Sequence, residues 1–344
     1  MKTKAALYII GMVLLFLSAC NSVHELPGED AVDPTLIHTR IILLPGAEMT
    51  PFEATTALTR STPDAHLVRY TVEIYVDESF DNSLVLRRSI LCAEGEEGDV
   101  ALECDLHALK YRVVAWRDFV PADAPRDCYY STSDFTAIGL QGDHVGCTDY
   151  KDAYAGIQSV DLTASRGIWF DSYQLTMQLE RPLARIELIT TDIIKYLNEL
   201  EAAASVAATA SADASVGTRA GEVEQMTVQV NYAGYFPIGF DITLNRPNRV
   251  DTGVHFNSSP VKLSDKEARL AFDYVFVNGT ESAVDVELLI YNKEGVEVNR
   301  VSGITVPIRR NCITTVRDEF LTLSSTPGVG IQPGFDGEIN IVIP

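Results

Sequence analysis

The feature that most limits what this chain can fold into is a side-chain period of two that returns along most of its length. Val284, Val286, Leu288 and Ile290 stand two apart, as do Val72, Ile74 and Val76, then Met226, Val228 and Val230, then Phe272, Tyr274 and Phe276, then Ile304, Val306 and Ile308. Successive side chains of a strand point to opposite faces, so each set lines one face while its neighbours line the other. Turn chemistry separates the sets: Pro45-Gly46, Asn278-Gly279 and Lys293-Glu294-Gly295. Strands joined by turns, with almost no helical periodicity between them, predict an all-β chain built from antiparallel β-sandwiches.

In chain order, Leu36 to Leu44 offers the first strand, and Glu48 to Pro63 has no clear period and reads as a long loop. Ser83 to Cys92 and Val100 to Leu106 are expected beside the strand carrying Val72 to Val76. Tyr111 to Trp116 is apolar on both faces and therefore central. Ser133 to Tyr154 reads as irregular, and Tyr173 to Leu179 returns to alternation. Arg181-Pro182 marks the expected boundary between an N-terminal sandwich, 35–180, and a C-terminal one, 181–323. Past the new strand Leu183 to Thr190, Asp192 is placed to cap a short helix with Ile193, Leu197 and Leu200 on one face. It runs into an Ala/Ser-rich insertion, 201–217, with too little apolar bulk to hold a core, read as a frayed helix end and a loop.

The N-terminus carries a different signal. Lys2 and Lys4 precede an apolar run from Ala5 to Leu17, which closes in Leu17-Ser18-Ala19-Cys20. This reads as a lipoprotein signal peptide, 1–19, cleaved between Ala19 and Cys20, with Cys20 as the lipid-attachment residue. In bacterial lipoproteins of this pattern the thiol receives a diacylglyceryl group and the freed amine a further acyl chain, palmitate among them. At roughly 0.8 kcal/mol per buried methylene, several chains on one residue make a permanent anchor. Residues 20–34, polar and broken by Pro27, Gly28 and Pro34, read as a tether. The remainder is then an exported protein held at a membrane surface.

Charge narrows the partners. Lys plus Arg total 27 against 48 Asp plus Glu, a net charge of −21, which argues against nucleic acid. Export makes disulfides possible, and Cys92 with Cys104, or Cys128 with Cys147, could close modest loops; Cys312 reads as a small buried hydrophobe. No stretch matches a nucleophile elbow, phosphate loop, dinucleotide fingerprint, calcium loop or paired-histidine zinc motif. Asp143, His144, Cys147, Asp149 and Asp152 mix ligand types without diagnostic spacing and read as a solvated acidic loop, with no metal expected. The expectation is a chain that is not an enzyme and needs no cofactor. Tyr129, Tyr130, Tyr150, Tyr154, Trp169 and Phe170 lie in or near the irregular part of the first block and permit an alternative, a surface glycan-binding lipoprotein that stacks sugars on loop aromatics.

The C-terminal linker and strand, 324–344, end in Ile339, Ile341 and Ile343, one apolar edge of a strand that must find a sheet. It can pair within its own domain, or act as a donor strand on the sheet edge of another molecule.

Three phrases of this sequence carry a resemblance: Tyr111-Arg112-Val113-Val114-Ala115-Trp116-Arg117-Asp118, Arg181-Pro182-Leu183-Ala184-Arg185-Ile186, and Val306-Pro307-Ile308-Arg309-Arg310-Asn311 running into Thr314-Thr315-Val316. With the lipobox and the terminal strand, the chain resembles the fimbrial anchor and accessory lipoproteins of Bacteroidales, the FimB-type relatives of the fimbrillins. The resemblance implies two transthyretin-like sandwiches, a place in the cell outer membrane and in a type V pilus, a part in cell adhesion, and other fimbrial subunits as partners. In stalk subunits of that family a protease cuts after an arginine and removes the first strand, leaving a groove for a donor strand. Arg40 and Arg60 are the positions to consider here. Neither matches a stalk site clearly, and an uncut first strand suits an anchor or accessory subunit.

Overall fold

The alternating segments become strands, and the strands sort into facing sheets around two apolar cores. The computed structural model of the protein describes residues 33–46, 66–77, 83–95, 100–208, 223–323 and 340–342. In the first half, β1 (Ile37–Pro45) lies between β4 (Val100–Leu106) and β9 (Ser172–Leu179). Facing them is a sheet in the order β3 (Leu84–Ala93), β2 (His66–Val76), β5 (Lys110–Pro121), β8 (Tyr154–Asp161). Ile37, Ile41 and Leu43 of β1, with Leu102, Leu175 and Met177, pack against Val68, Tyr70, Val72, Ile74 and Val113. One expectation is corrected: β3 pairs with β2, but β4 crosses to the opposite sheet and pairs with β1. Alternation fixes which face of a strand is apolar and is silent on which sheet the strand joins.

The second half repeats the plan. β10 (Leu183–Thr190) lies between β16 (Ala268–Phe276) and β19 (Ile313–Asp318), with β15 (Val261–Lys262) and β20 (Asn340–Val342) at the two edges. The facing sheet runs β14 (His255–Ser258), β11 (Thr227–Tyr232), β17 (Glu281–Tyr291), β18 (Glu297–Arg309). Ile304, Val306 and Ile308 belong to the long strand β18, which starts at Glu297. A bulge interrupts its pairing with β17, and Gly303 there takes the left-handed conformation, φ 76°, open to glycine. The sheets are mainly antiparallel, with parallel pairs where β1 meets β9, β10 meets β19 and β19 meets β20.

The helix α1 (Ile193–Ala208) buries Ile193 and Tyr196 in the second core and runs further than the short one expected, since alanine is the best helix former. Asp192 sits at its start, its carbonyl accepting from Tyr196 N at 2.9 Å. Its carboxylate is used elsewhere, accepting from Thr322 N and Oγ1, each at 2.8 Å.

The two sandwiches stack, outer face to outer face. Val114 and Trp116 of β5 and Ala155 of β8 turn away from the first core and meet Leu183, Phe272, Tyr274 and Phe276, which turn away from the second. That is why Tyr111 to Trp116 is apolar on both faces. The segment expected to be irregular joins the halves. β6 (Tyr130–Ser131) and β7 (Ile138–Leu140) form a sheet with β12 (Phe236–Asp241) and β13 (Arg246–Asp251), through Ile138 opposite Phe240. Beyond it, residues 144–152 form a strap against the second half. Gly146 lies so close to the Phe256 ring that there is no room for a Cβ.

At the centre of this contact is Asp273, fully buried on β16. Lys151 Nζ donates to one carboxylate oxygen at 2.5 Å; Tyr232 Oη donates to the other at 2.7 Å, and His144 Nε2 lies 2.6 Å from it. Burial pushes the Asp273 pKa up, but the Lys151 ammonium and the His144 hydrogen bond more than offset this and hold it below the ordinary carboxylate value. Removing one partner of a buried pair strands the other, at a cost of about 3–5 kcal/mol. We therefore expect Asp273→Ala to lower the unfolding free energy by that amount in chemical denaturation. A depressed folded-state pKa gives stability that is complete above the unfolded value, about 4, and is lost as pH falls through the folded one. Asp273→Asn should flatten the acid limb of the stability profile below about pH 4; an unchanged limb would show that Asp273 does not contribute to it.

Candidate assembly site

A subunit that joins others by strand exchange needs either a vacant groove or a strand it can give. The first strand is placed to fill its own groove. β1 pairs with β4 from Ile37 to Leu43 and with β9 from His38 to Pro45, so its backbone is hydrogen-bonded on both sides. Ile37, Ile41 and Leu43 are wholly buried beneath it, each contributing roughly 1.5–3 kcal/mol of apolar burial. Arg40 lies in the middle of this strand, with its side chain exposed and its backbone held by Glu103 on one flank and Gln174 on the other. A protease needs an extended, unpaired backbone, and here that requires opening the sandwich. Arg60 lies outside the described residues.

The last strand is held differently. β20 adds to the outer edge of β19 in parallel, with Asn340 beside Thr315, Ile341 beside Val316 and Val342 beside Arg317. Among the described residues it has a neighbour on one side only, at the end of the sheet order. Ile341 is the member of the expected donor strand that the structure places; Ile339 and Ile343 lie outside the described residues, as do Ala19 and Cys20. The repeat of the two halves gives this edge a counterpart. β9 is to β1 what β19 is to β10, and among the described residues the outer side of β9 meets only an isolated bridge between Glu180 and Ala155.

The other candidate residues have structural partners. Neither expected disulfide is formed: Cys92, Cys104, Cys128 and Cys147 are free thiols, as is Cys312. Cys92 is on β3 and Cys104 on β4, in opposite sheets, and Cys147 is drawn into the strap, its thiol 3.1 Å from Ser258 Oγ. Burial pushes the Cys104 thiol up to about 11 and those of Cys128 and Cys147 upward too, away from the reactive thiolate. The solvated acidic loop is also corrected. Asp149 receives Arg185, Asp152 receives Arg181 at 2.6 and 2.9 Å, and His144 holds Asp273, so the carboxylates and imidazole tie the sandwiches together. Among the described residues, no three His, Cys, Asp or Glu side chains gather as a metal would need.

Of the loop aromatics, Tyr130 and Tyr154 are buried, the latter beneath Arg181 at 4.4 Å, and Tyr150 stacks on His66 at 3.8 Å. Trp169 and Phe170 stand exposed, and Ile168 beside them, a residue the sequence did not single out, is exposed as well. Asp273 was also missed. Its one signal is a carboxylate set between Phe272 and Tyr274 in a strand that is otherwise apolar along that stretch.

A family model described as a family of unknown function (DUF6562) matches residues 34–344. No curated protein matches the chain in sequence. Similar solved structures include a candidate polysaccharide-binding protein (DUF1812) from Bacteroides thetaiotaomicron, 11% identical with a TM-score of 0.44, the match covering 77% of this chain and 79% of that one. A candidate adhesin from Bacteroides ovatus is 13% identical, TM-score 0.41, with coverage of 82% and 80%. The fimbrial anchor protein Mfa2 from Porphyromonas gingivalis is 12% identical, TM-score 0.38, with coverage of 76% and 81%. At these scores the likeness does not carry the activity of any of these proteins to this chain.

Pairing on both sides against pairing on one side has a measurable consequence. In native-state hydrogen exchange, amides of residues 39–43 should be among the slowest, opening only with the first sandwich, and those of 340–342 should exchange faster. Equal protection would contradict the distinction drawn between the two strands.

Proposed function

We propose that this chain, which belongs to the DUF6562 family of unknown function, is a lipid-anchored, non-enzymatic surface subunit that joins other subunits by β-strand addition. The observation that carries the reading is the place of β1: paired on both flanks and buried along one face, it fills the position an incoming strand would take. A subunit whose first groove is already filled accepts nothing there and is suited to the end of an assembly. What it can offer is a sheet edge, and the edge at β19 is covered by the three-residue pairing of β20. Exchange of that short strand for one from a neighbour, or its donation to a neighbour, makes one set of main-chain bonds for another and costs little in net hydrogen bonding.

The lipobox complements this. Acyl chains on Cys20 would hold the N-terminal end to the outer membrane, and the body would carry further subunits of a fimbrium outward. The resemblance of the phrases around Tyr111, Arg181 and Val306 to the fimbrial anchor and accessory lipoproteins supports the same reading and implies a role in adhesion.

Two changes separate its parts. Cys20→Ala should move the protein, with any subunits it carries, from the membrane fraction to the medium; retention at the membrane would contradict the anchor. Deleting residues 334–344 should leave a folded protein, by its circular dichroism and thermal transition, that no longer enters fimbriae. Normal incorporation of the folded truncated chain would remove the terminal strand from the mechanism.

A further inference from the structure

Between the second half of the first sandwich and the point where the chain enters it lies a short apolar loop. Ile168, Trp169 and Phe170 are 50%, 58% and 74% exposed, and among the described residues no other three large apolar side chains stand exposed in succession. A soluble surface ordinarily scatters such residues singly. Phe170 is moreover held at φ 56°, a conformation that bulky side chains rarely adopt, so the exposed arrangement is maintained at a conformational cost.

The position of the loop identifies its occupant. Phe170 N donates to Pro34 O at 3.0 Å, and His38 N donates to Asp171 O at 3.0 Å. The loop and the entering chain are therefore fastened together, immediately before β1 and β9 pair at His38 and Ser172. Pro34 is 14 residues from Cys20, and a chain of that length reaches at most about 50 Å even when fully extended. Whatever surface holds Cys20 therefore lies within reach of Ile168 to Phe170, at the end of the sandwich from which the tether leaves.

The two carboxylates nearest the loop are engaged by their own backbone. Asp33 accepts from Thr35 N and Oγ1 at 2.8 and 2.7 Å, and Asp171 accepts from Ser172 N at 2.9 Å, so both carboxylates are turned onto their own backbone. Arg166, next to the loop, is exposed and cationic. A tryptophan beside a phenylalanine and an aliphatic residue is the composition that settles at the boundary between headgroups and acyl chains.

We infer that Ile168, Trp169 and Phe170 seat in the lipid surface to which Cys20 is attached, as a second contact that fixes the orientation of the body. This rests on the lipid anchor proposed above. Acyl chains alone permit any tilt within the reach of the tether, whereas a second point of contact selects the one that puts this end of the sandwich down.

The chain has two tryptophans, and Trp116 is fully buried, so a lipid-borne quencher reports on Trp169. Full-length mature protein extracted from producing cells would be reconstituted into phosphatidylcholine vesicles, with or without bromine on the acyl chains near the headgroup. The expected result is co-flotation together with loss of most of the Trp169 emission in brominated vesicles. Trp169→Phe should abolish the quenching and leave the Trp116 emission unchanged. Ile168→Ser with Phe170→Ser should still float but lose most of the quenching, the Trp116 emission verifying that it is folded. Flotation without quenching of the unaltered protein would overturn this inference and leave the anchor standing; failure to float would overturn the anchor and this inference with it.

Discussion

The arrangement of the two sandwiches depends on one buried carboxylate. Asp273 has no access to solvent and is held by an ammonium, an imidazole and a phenol, of which Lys151 and His144 come from the first half and Tyr232 from the second. An apolar contact such as that of Tyr130 with Phe276 supplies area but tolerates sliding. A buried charge pair does not, because displacement leaves each charge uncompensated in a medium that cannot solvate it. The strap 144–152 therefore does more than connect: with Arg181 on Asp152 and Arg185 on Asp149, it sets where one sandwich stands on the other. The network thus holds the two sandwiches in one fixed relation.

Within that body the first and last strands have opposite standing. β1 is the middle of its sheet and cannot leave without exposing Ile37, Ile41 and Leu43 together with two rows of backbone groups. β20 is the end of its sheet and is held along one row. The same topology, a first strand set between an antiparallel and a parallel partner, occurs in both halves, and the second half adds a strand at each edge, β15 beside β16 and β20 beside β19. The proposed direction of assembly follows from this difference, with the N-terminal end closed and membrane-bound and the C-terminal edge available.

Much of the fold was legible because burial on one face of a strand writes itself into alternate residues. The strands at Ile37, Val72, Val228, Phe272 and Val284 were readable from spacing, as was the central position of Tyr111 to Trp116. Sheet membership was not readable, as β4 shows: its apolar residues would face a core from either sheet. The strands β6 and β7 have too few residues to show a period, and β7 pairs across the halves with β12. The loop 143–152 looked like a solvated acidic segment because nothing local reveals that Asp149 and Asp152 meet arginines 36 and 29 residues away. Asp273 was invisible for the same reason: its partners Lys151 and His144 are 122 and 129 residues distant. In the candidate site, the terminal strand at Ile341 was readable from the sequence, whereas the exposure of Ile168 is set by packing.

The central claim, that the chain works with its first strand in place and its N-terminus in the membrane, is tested most directly by the intact mass of the protein recovered from the cell surface. The account predicts a single chain beginning at an acylated Cys20 and containing β1 uncut. A mature chain beginning at Ile41 or Ser61, with β1 broken or removed, would contradict it.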